Sequence, residues 1–240
     1  EKYIWNFLKP WLKKSEAYIE RKTIYTFESA ISRKWKKGRI FIAGDAAHLM
    51  PPFMGQGMCA GIRDTSNLAW KITACLRNKH DDRFLNTYQS ERFSNVKEYV
   101  ETTMRMGEFV NAIGSTQITK NISSSDDGTK SMQSIKPKLG FGLGKINDKN
   151  RGKIFPQLKM KNGKTFDCKF SNLPILIFSS ELNKKKKINK FQSINANEVI
   201  GLSKLMKSYN AKALIVRPDR FILKSCKKVK DFDNFIKFFN

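Results

Sequence analysis

Apolar and polar positions change rhythm several times along the chain, and each change marks an element. Over residues 1–15, Trp5, Phe7, Leu8, Trp11 and Leu12 fall at the spacing of an amphipathic helix interrupted at Pro10. Between residues 18 and 32 the rhythm becomes a partial alternation of Ile19, Arg21, Thr23, Tyr25, Phe27 and Ser29, which predicts a strand. A polar turn, residues 33–38, then leads into four apolar residues, 40–43, predicted as a short buried strand. Ile62, Leu68, Ala69, Ile72 and Leu76 share one face of a helix expected over about residues 58–76. Leu85, Tyr88, Phe93, Val96, Tyr99, Val100 and Met104 supply the buried side of a longer helix over residues 81–110.

Residues 114–150 break this pattern. Ser123 to Gly128 and the alternation Gly140-Phe141-Gly142-Leu143-Gly144 are poor in core formers, and a linker is expected over 116–150. The glycine alternation neither follows a clear strand nor opens a clear helix, so it lacks the context of a phosphate loop. From residue 151 a separate domain is expected. Strands are predicted over 165–170, 174–178, 211–216 and 221–223, and helices over 197–209 and 231–239. Strands alternating with helices point to a small α/β layer.

The candidate chemistry lies between the strand at 40–43 and the helix at 58. Gly44-Asp45 ends the strand, Pro51 and Pro52 stiffen the loop, and Gly55 and Gly57 open the helix. A carboxylate there can accept from hydroxyls. The free N–H groups of a helix N-terminus can face a developing negative charge.

The stretch from Gly38 to Ile72, GRIFIAGDAAHLMPPFMGQGMCAGIRDTSNLAWKI, resembles the second flavin-binding motif of the FAD-dependent aromatic hydroxylases, the class A flavoprotein monooxygenases. Within them it is most similar to the 3-(3-hydroxyphenyl)propanoate hydroxylase type. Tyr88 to Arg92 resembles the family's Tyr-x-x-Glu-Arg element, for which ion pairs of Glu91 and Arg92 with neighbours are the favoured explanation. Residues 152–157 and 214–221 resemble the family's C-terminal thioredoxin-like domain, which carries no redox dithiol. The resemblance implies an α/β chain in three parts. Residues 1–115 would be the C-terminal part of a Rossmann-like FAD-binding monooxygenase domain, 116–150 a linker, and 151–240 the thioredoxin-like domain.

The same resemblance implies flavin chemistry: FAD reduced by NADH or NADPH, then oxygen transfer from a C4a-hydroperoxide to a phenolic ring bearing a short carboxylate side chain. The implied cofactor contacts are Phe41, Ile42, Ala43, Gly44, Asp45, Ala46, Ala47, His48, Leu49, Met50, Pro51, Pro52, Gly55, Gln56, Gly57, Met58 and Cys59. Among them Asp45 would accept from the ribityl chain, and the Gly55–Met58 amides would face the pyrimidine edge of the flavin. His48 is expected to fix the loop rather than act as a base. The flavin carries the chemistry, so no catalytic side chain is assigned. Met54 stands where the family commonly has glycine, and Cys59 where asparagine is usual. If position 54 needed a positive φ, methionine there would be strained.

The family's opening Gly-x-Gly-x-x-Gly unit, which cradles the FAD pyrophosphate, does not occur in these 240 residues. The resemblance therefore covers nearly all of this chain but only the C-terminal part of the family. A separate polypeptide supplying the N-terminal part is one implied partner, beside the aromatic substrate and O2. A homodimer stays open, and so does a non-catalytic remnant with a structural or interaction role.

Composition adds bounds. Net charge is +25, from 46 Lys+Arg against 21 Asp+Glu. Lysines are spread along the chain, the one dense run being Lys184 to Lys187, and this favours compositional drift over a nucleic-acid partner. Cys59, Cys75, Cys168 and Cys226 form no Cys-x-x-Cys pair, so neither zinc nor a disulfide framework is expected. No apolar run reaches about 18 residues, so no membrane span is expected, and the expected location is cytoplasmic.

Overall fold

The computed structural model describes residues 1–78, 81–113, 135–144, 147–169, 173–179 and 191–228. Helix α1 (Lys2–Leu8) stops two residues short of Pro10, which has no N–H to extend the hydrogen-bond ladder. None of its residues is buried, and Tyr3, Phe7 and Trp11 lie open at the surface. The strand predicted over 18–32 is confined to β1 (Ala30–Ile31). Residues 17–29 carry no regular element, and Ile24 is 96 % exposed. An extended segment becomes a strand only when a neighbour takes its N–H and C=O groups, and no described strand lies beside this one.

Strands β2 (Lys36–Lys37) and β3 (Ile40–Phe41) form a minimal antiparallel hairpin turning at Gly38. The run at 40–43, predicted as a buried strand, is thus a two-residue edge with Ile40 exposed, because only one neighbour covers it. Strand β4 (His48–Leu49) pairs antiparallel with β1. Beneath these short strands run the two long helices that periodicity predicts, α2 (Gly57–Asn78) and α3 (Arg83–Ile113). Trp35, Ala47, Tyr88, Val96 and Val100 form the core between loop and helices.

Among the described residues the C-terminal unit holds a four-stranded mixed sheet. Its strands are β5 (Ile175–Phe178), β6 (Gln192–Asn195), β7 (Ala213–Val216) and β8 (Ile222–Cys226), in the order β6-β5-β7-β8. β5 runs parallel to β6 and antiparallel to β7, which is antiparallel to β8. The central strands β5 and β7 are buried on both faces, which is why they read as unbroken apolar runs. Alternate residues divide between the faces. Leu176, Phe178, Ala213 and Ile215 pack with Trp70 and Ala74 of α2, whereas Ile175, Ile177, Leu214 and Val216 pack with Phe166 and with Leu202 and Met206 of α4 (Leu202–Ser208).

Three expectations here need correction. Residues 166–169 form a 3-10 turn rather than a strand, because Phe166 turns fully inward against Phe155. The helix predicted over 197–209 is split into a 3-10 turn (Ala196–Glu198), closed by a capping box of Asn195 and Glu198, and α4 itself. Between them Val199 bridges Met160, and Gly201 adopts φ 77°. Strand β6 is missed altogether, since Gln192 to Asn195 holds one apolar residue among polar ones. The helix predicted over 231–239 and the lysine run at 184–187 lie outside the described residues.

Part of the expected linker is a packed strap. Leu139 and Leu143 are buried, Gly140 N donates to the Glu91 carbonyl at 2.8 Å, and Leu143 N donates to Glu91 Oε1 at 2.8 Å. A Cβ on Gly142 would collide with the Glu91 side chain, so the glycines here serve close approach rather than flexibility.

Glu91 joins this strap, both long helices and the sheet. Its Oε2 accepts from Lys71 Nζ (2.8 Å), Asn67 Nδ2 (3.0 Å) and Arg217 NH2 (2.8 Å), and its Oε1 from Arg217 NH1 (2.9 Å). Arg217 also holds Asp219 through Nε (2.9 Å) and NH2 (2.6 Å), and its guanidinium sits 5.0 Å above the Trp70 ring. All five polar residues are buried. Burial alone would raise the Glu91 carboxyl, but Arg217 and Lys71 outweigh it and hold the group well below the carboxylate range. Burial pushes Lys71 down to about 8, since the pull of Glu91 does not offset desolvation and Arg217.

These signs separate two substitutions. Glu91→Ala leaves Arg217 and Lys71 buried and short of a counter-charge and is expected to cost about 3–5 kcal/mol in urea unfolding. Lys71→Met removes a cation whose burial is unfavourable and leaves Glu91 paired with Arg217, so a change within about 1 kcal/mol is expected. A carboxyl held below its ordinary value of 4.5 stabilises fully above that pH. Stability in acid unfolding should therefore drain away as pH falls below about 4.5, and less steeply in Glu91→Gln.

Candidate cofactor-binding site

The loop between β3 and α2 is assembled from two short 3-10 turns, Gly44–Ala46 and Pro52–Met54, with β4 between them. Tyr88 of α3 anchors its start by donating to the Ile42 carbonyl at 3.0 Å. Burial, with the charge of Asp64, pushes the Tyr88 phenol far up, so it remains a donor. Gly44, at φ 59°, crosses α2 at Gly61, where a Cβ on Gly61 would sit 3.3 Å from the Gly44 Cα. Two glycines allow the turn to lie directly on the helix.

Asp64 of α2 organises the inner side. Its Oδ2 accepts from Gly44 N at 3.1 Å and lies 2.6 Å from His48 Nε2, and its Oδ1 accepts from Arg92 Nε at 2.7 Å. Burial raises this carboxyl, but the bonds and charges of His48 and Arg92 outweigh it and hold it below the usual range. Arg92 NH1 donates on to Asn95 Oδ1 (2.6 Å), and Asn95 Nδ2 to the Pro137 carbonyl of the strap (2.6 Å). His48 is 2 % exposed, with its ring 5.5 Å from that of Trp35. That position makes it an anchor of the loop rather than a surface base.

The outer side is open. Asp45, Ala46, Leu49, Pro52, Gly55 and Met58 are exposed, Met58 at 75 %. Phe41, Ile42, Ala43, Gly44, Met50, Gln56, Gly57 and Cys59 are half-buried, and Ala47, His48 and Pro51 face inward. The expected residues are therefore brought together in sequence but divide into an exposed rim and a buried footing.

The conditional strain at Met54 does not arise: Met54 lies within the 3-10 turn, and the left-handed position is Gly55 at φ 59°. Phe53 packs on α3 where a Cβ at Gly107 would come within 2.5 Å of its ring. The first intrahelical bond of α2 runs from Ala60 N to the Gln56 carbonyl, so the amides of Gly57, Met58 and Cys59 have no partner in the helix. No acid sits in that first turn to offset the dipole. Gln56 Oε1 is held at 3.3 Å by both terminal nitrogens of Arg63, whose guanidinium lies 5.0 Å from the Tyr99 ring.

An exposed carboxylate in the turn that crosses α2 at Gly61 can take hydroxyls, and the first-turn amides of α2, without partners in the helix, can take an anion. Sequence reading missed Asp64, Arg63, Asn67, Lys71, Trp35, Arg217 and Asp219. A signal existed for three of them: Asp64, Asn67 and Lys71 recur at i, i+3 and i+7, a polar stripe on a helix face that should be buried.

A family profile described as FAD binding domain matches residues 12–103. A probable NADH-specific resorcinol 4-hydroxylase of Rhodococcus jostii is 37 % identical over 158 residues, covering 64 % of this chain and 29 % of the relative. A 3-(3-hydroxy-phenyl)propionate/3-hydroxycinnamic acid hydroxylase of Mycolicibacterium vanbaalenii is 41 % identical over 92 residues, covering 38 % of this chain and 16 % of the relative. The chain thus spans less than a third of these relatives' length. Among solved structures, aklavinone-11 hydroxylase with FAD and aklavinone is similar in fold at TM-score 0.60 and 18 % identity, over 87 % of this chain and 45 % of that one. Anhydrotetracycline hydroxylase of Streptomyces rimosus is similar at TM-score 0.59 and 18 % identity, over 82 % and 43 %. The chain resembles the C-terminal portion of the FAD-dependent aromatic hydroxylases.

Asp64→Ala would leave Arg92 buried without its carboxylate and the Gly44 amide without an acceptor. The expected cost is about 3–5 kcal/mol in urea unfolding, with Asp64→Asn intermediate because the amide oxygen can serve only part of that set.

Proposed function

We propose that this chain is the C-terminal portion of an FAD- and NAD(P)H-dependent monooxygenase that hydroxylates a phenolic aromatic acid such as 3-(3-hydroxyphenyl)propanoate. The observation that carries the reading is the loop from Phe41 to Cys59, whose footing is fixed by Asp64 and whose rim presents Asp45 and the amides of Gly57 to Cys59. These residues fit the ribityl and pyrimidine side of FAD. Asp45 would accept from ribityl hydroxyls, and the α2 amides and dipole would favour negative charge on the pyrimidine edge, by about 0.3–2 kcal/mol. Bound FAD would supply the activation of O2 once NADH or NADPH has reduced it, while the protein orients it and excludes water.

The pyrophosphate side needs a dinucleotide turn of the Gly-x-Gly-x-x-Gly kind, supplied by further sequence of the same polypeptide or by a second chain. Residues 151–240 are read as thioredoxin-like in support of this assignment. A parallel β5–β6 pair, a reversed β7 and an edge β8 in the order β8-β7-β5-β6 favour that reading. The free, scattered cysteines fit a structural rather than a redox role. No described helix is long and apolar enough to cross a membrane.

Co-expression with a portion bearing the dinucleotide turn should give a yellow complex with a flavin spectrum; a complex that forms but stays colourless in excess FAD would overturn the proposal. In that complex Asp45→Ala should weaken FAD retention about tenfold or more, as loss of a hydrogen bond to a charged group does. Its unfolding free energy should stay within about 0.5 kcal/mol, because Asp45 is exposed. Equal FAD affinity in the variant would remove Asp45 from the site.

A further inference from the structure

Glu91 and Arg92 are neighbours on α3 that face two different buried assemblies. Glu91 receives Arg217 of the C-terminal sheet through two bonds of 2.9 and 2.8 Å, along with Lys71 and Asn67 of α2. Arg92 reaches Asp64 at 2.7 Å, and Asp64 in turn holds Gly44 N and His48. On α2 the corresponding acceptors and donors, Asp64, Asn67 and Lys71, form one stripe. Asn67 ties that stripe back to the sheet through Asp219 Oδ2 at 2.9 Å. The strap closes the circuit: Gly140 N and Leu143 N bind Glu91, and the Pro137 carbonyl takes Asn95, itself bound to Arg92. Every charged side chain in this path from Gly44 to Arg217 is buried.

We infer that the C-terminal sheet is a positioning element for the cofactor loop: by seating Arg217 on Glu91 it fixes the register of α3 against α2, and that register sets where Asp64 holds Gly44 and His48. The role of the loop in this statement rests on the flavin-site reading above; the mechanical coupling does not. Two features carry it. The seam between α2 and α3 is polar, so a relative shift of the helices breaks short charged bonds instead of sliding apolar surfaces past one another. The adjacency of Glu91 and Arg92 means that a small rotation of α3 at one residue is felt at the other.

Arg217→Lys keeps the charge but gives up the two-pronged geometry, and Asp219→Asn loosens the same guanidinium from its other side. Amide hydrogen exchange on the full chain, without added flavin, reads the coupling directly. In both variants the peptide containing Gly44 to Leu49 should exchange about tenfold faster, together with the strap at 137–143, while the interior of the sheet (Ile175–Phe178) stays protected. Faster exchange confined to residues 135–228, with Gly44 to Leu49 unchanged, would overturn the inference. Uniform loss of protection in Arg217→Lys would mean global unfolding, and the milder Asp219→Asn then decides by the same peptides. FAD retention by the co-expressed complex separates the two proposals. If exchange at Gly44 to Leu49 responds but flavin binding is absent even without substitution, the coupling stands and the flavin reading falls. If flavin binds with equal affinity and exchange is unchanged in the variants, the flavin reading stands and the coupling falls.

Discussion

A carboxylate stripped of water is stable only if its surroundings replace every bond that water made, and Glu91 imposes that requirement on half the fold. One helix must bring Asn67 and Lys71, a turn after β7 must bring Arg217, and a glycine strap must approach closely enough for Leu143 N to reach it. None of these groups is local to Glu91 in sequence, so the packing of the sheet against α2 and α3 is specified by charge matching as well as by the apolar face of Trp70, Ala74, Leu176 and Ile215. Apolar contact supplies the attraction. The guanidinium–carboxylate geometry selects one register among the several that an apolar face would accept.

The loop of the candidate site follows from the same economy. Its inner residues are spent on anchoring: His48 and Gly44 on Asp64, Ile42 on Tyr88, Phe53 on the groove at Gly107. Its outer face exposes Asp45, and the first-turn amides of α2 have no partner within the helix; an exposed acid and free helix amides are what a polar ligand needs. Anchoring and exposure alternate over a few residues because a loop that binds must be held from behind.

Much of this was legible beforehand. Long amphipathic periods located α2 and α3, and the fully apolar runs located β5 and β7, because burial on one helix face or on both faces of a strand writes itself into residue type. The loop was legible as Gly-Asp, Pro-Pro and Gly-x-Gly punctuation. What failed had no local signature. Residues 18–29 alternate like a strand but find no strand partner among the described residues, only Ala30–Ile31 pairing with β4, and β6 is strand by pairing alone, with polar residues on an edge. The strap composition, rich in glycine, reads as flexible, yet the glycines are there because Glu91 and Ser90 stand where side chains would be. Asp64 and Arg217 became significant only when the fold placed them opposite Arg92 and Glu91.

The open aromatic and aliphatic side chains of the first thirty residues, Tyr3, Phe7, Trp11, Tyr18, Ile24, Tyr25 and Phe27, sit on a molecule carrying a charge of +25. In dilute buffer that charge holds copies apart over distances well beyond the reach of apolar contact. Added salt shortens the screening length to about 8 Å at physiological strength and about 3 Å at 1 M. The same salt leaves the apolar attraction intact. Ionic strength therefore weakens the repulsion between copies of this chain while leaving in place the apolar attraction of these exposed side chains.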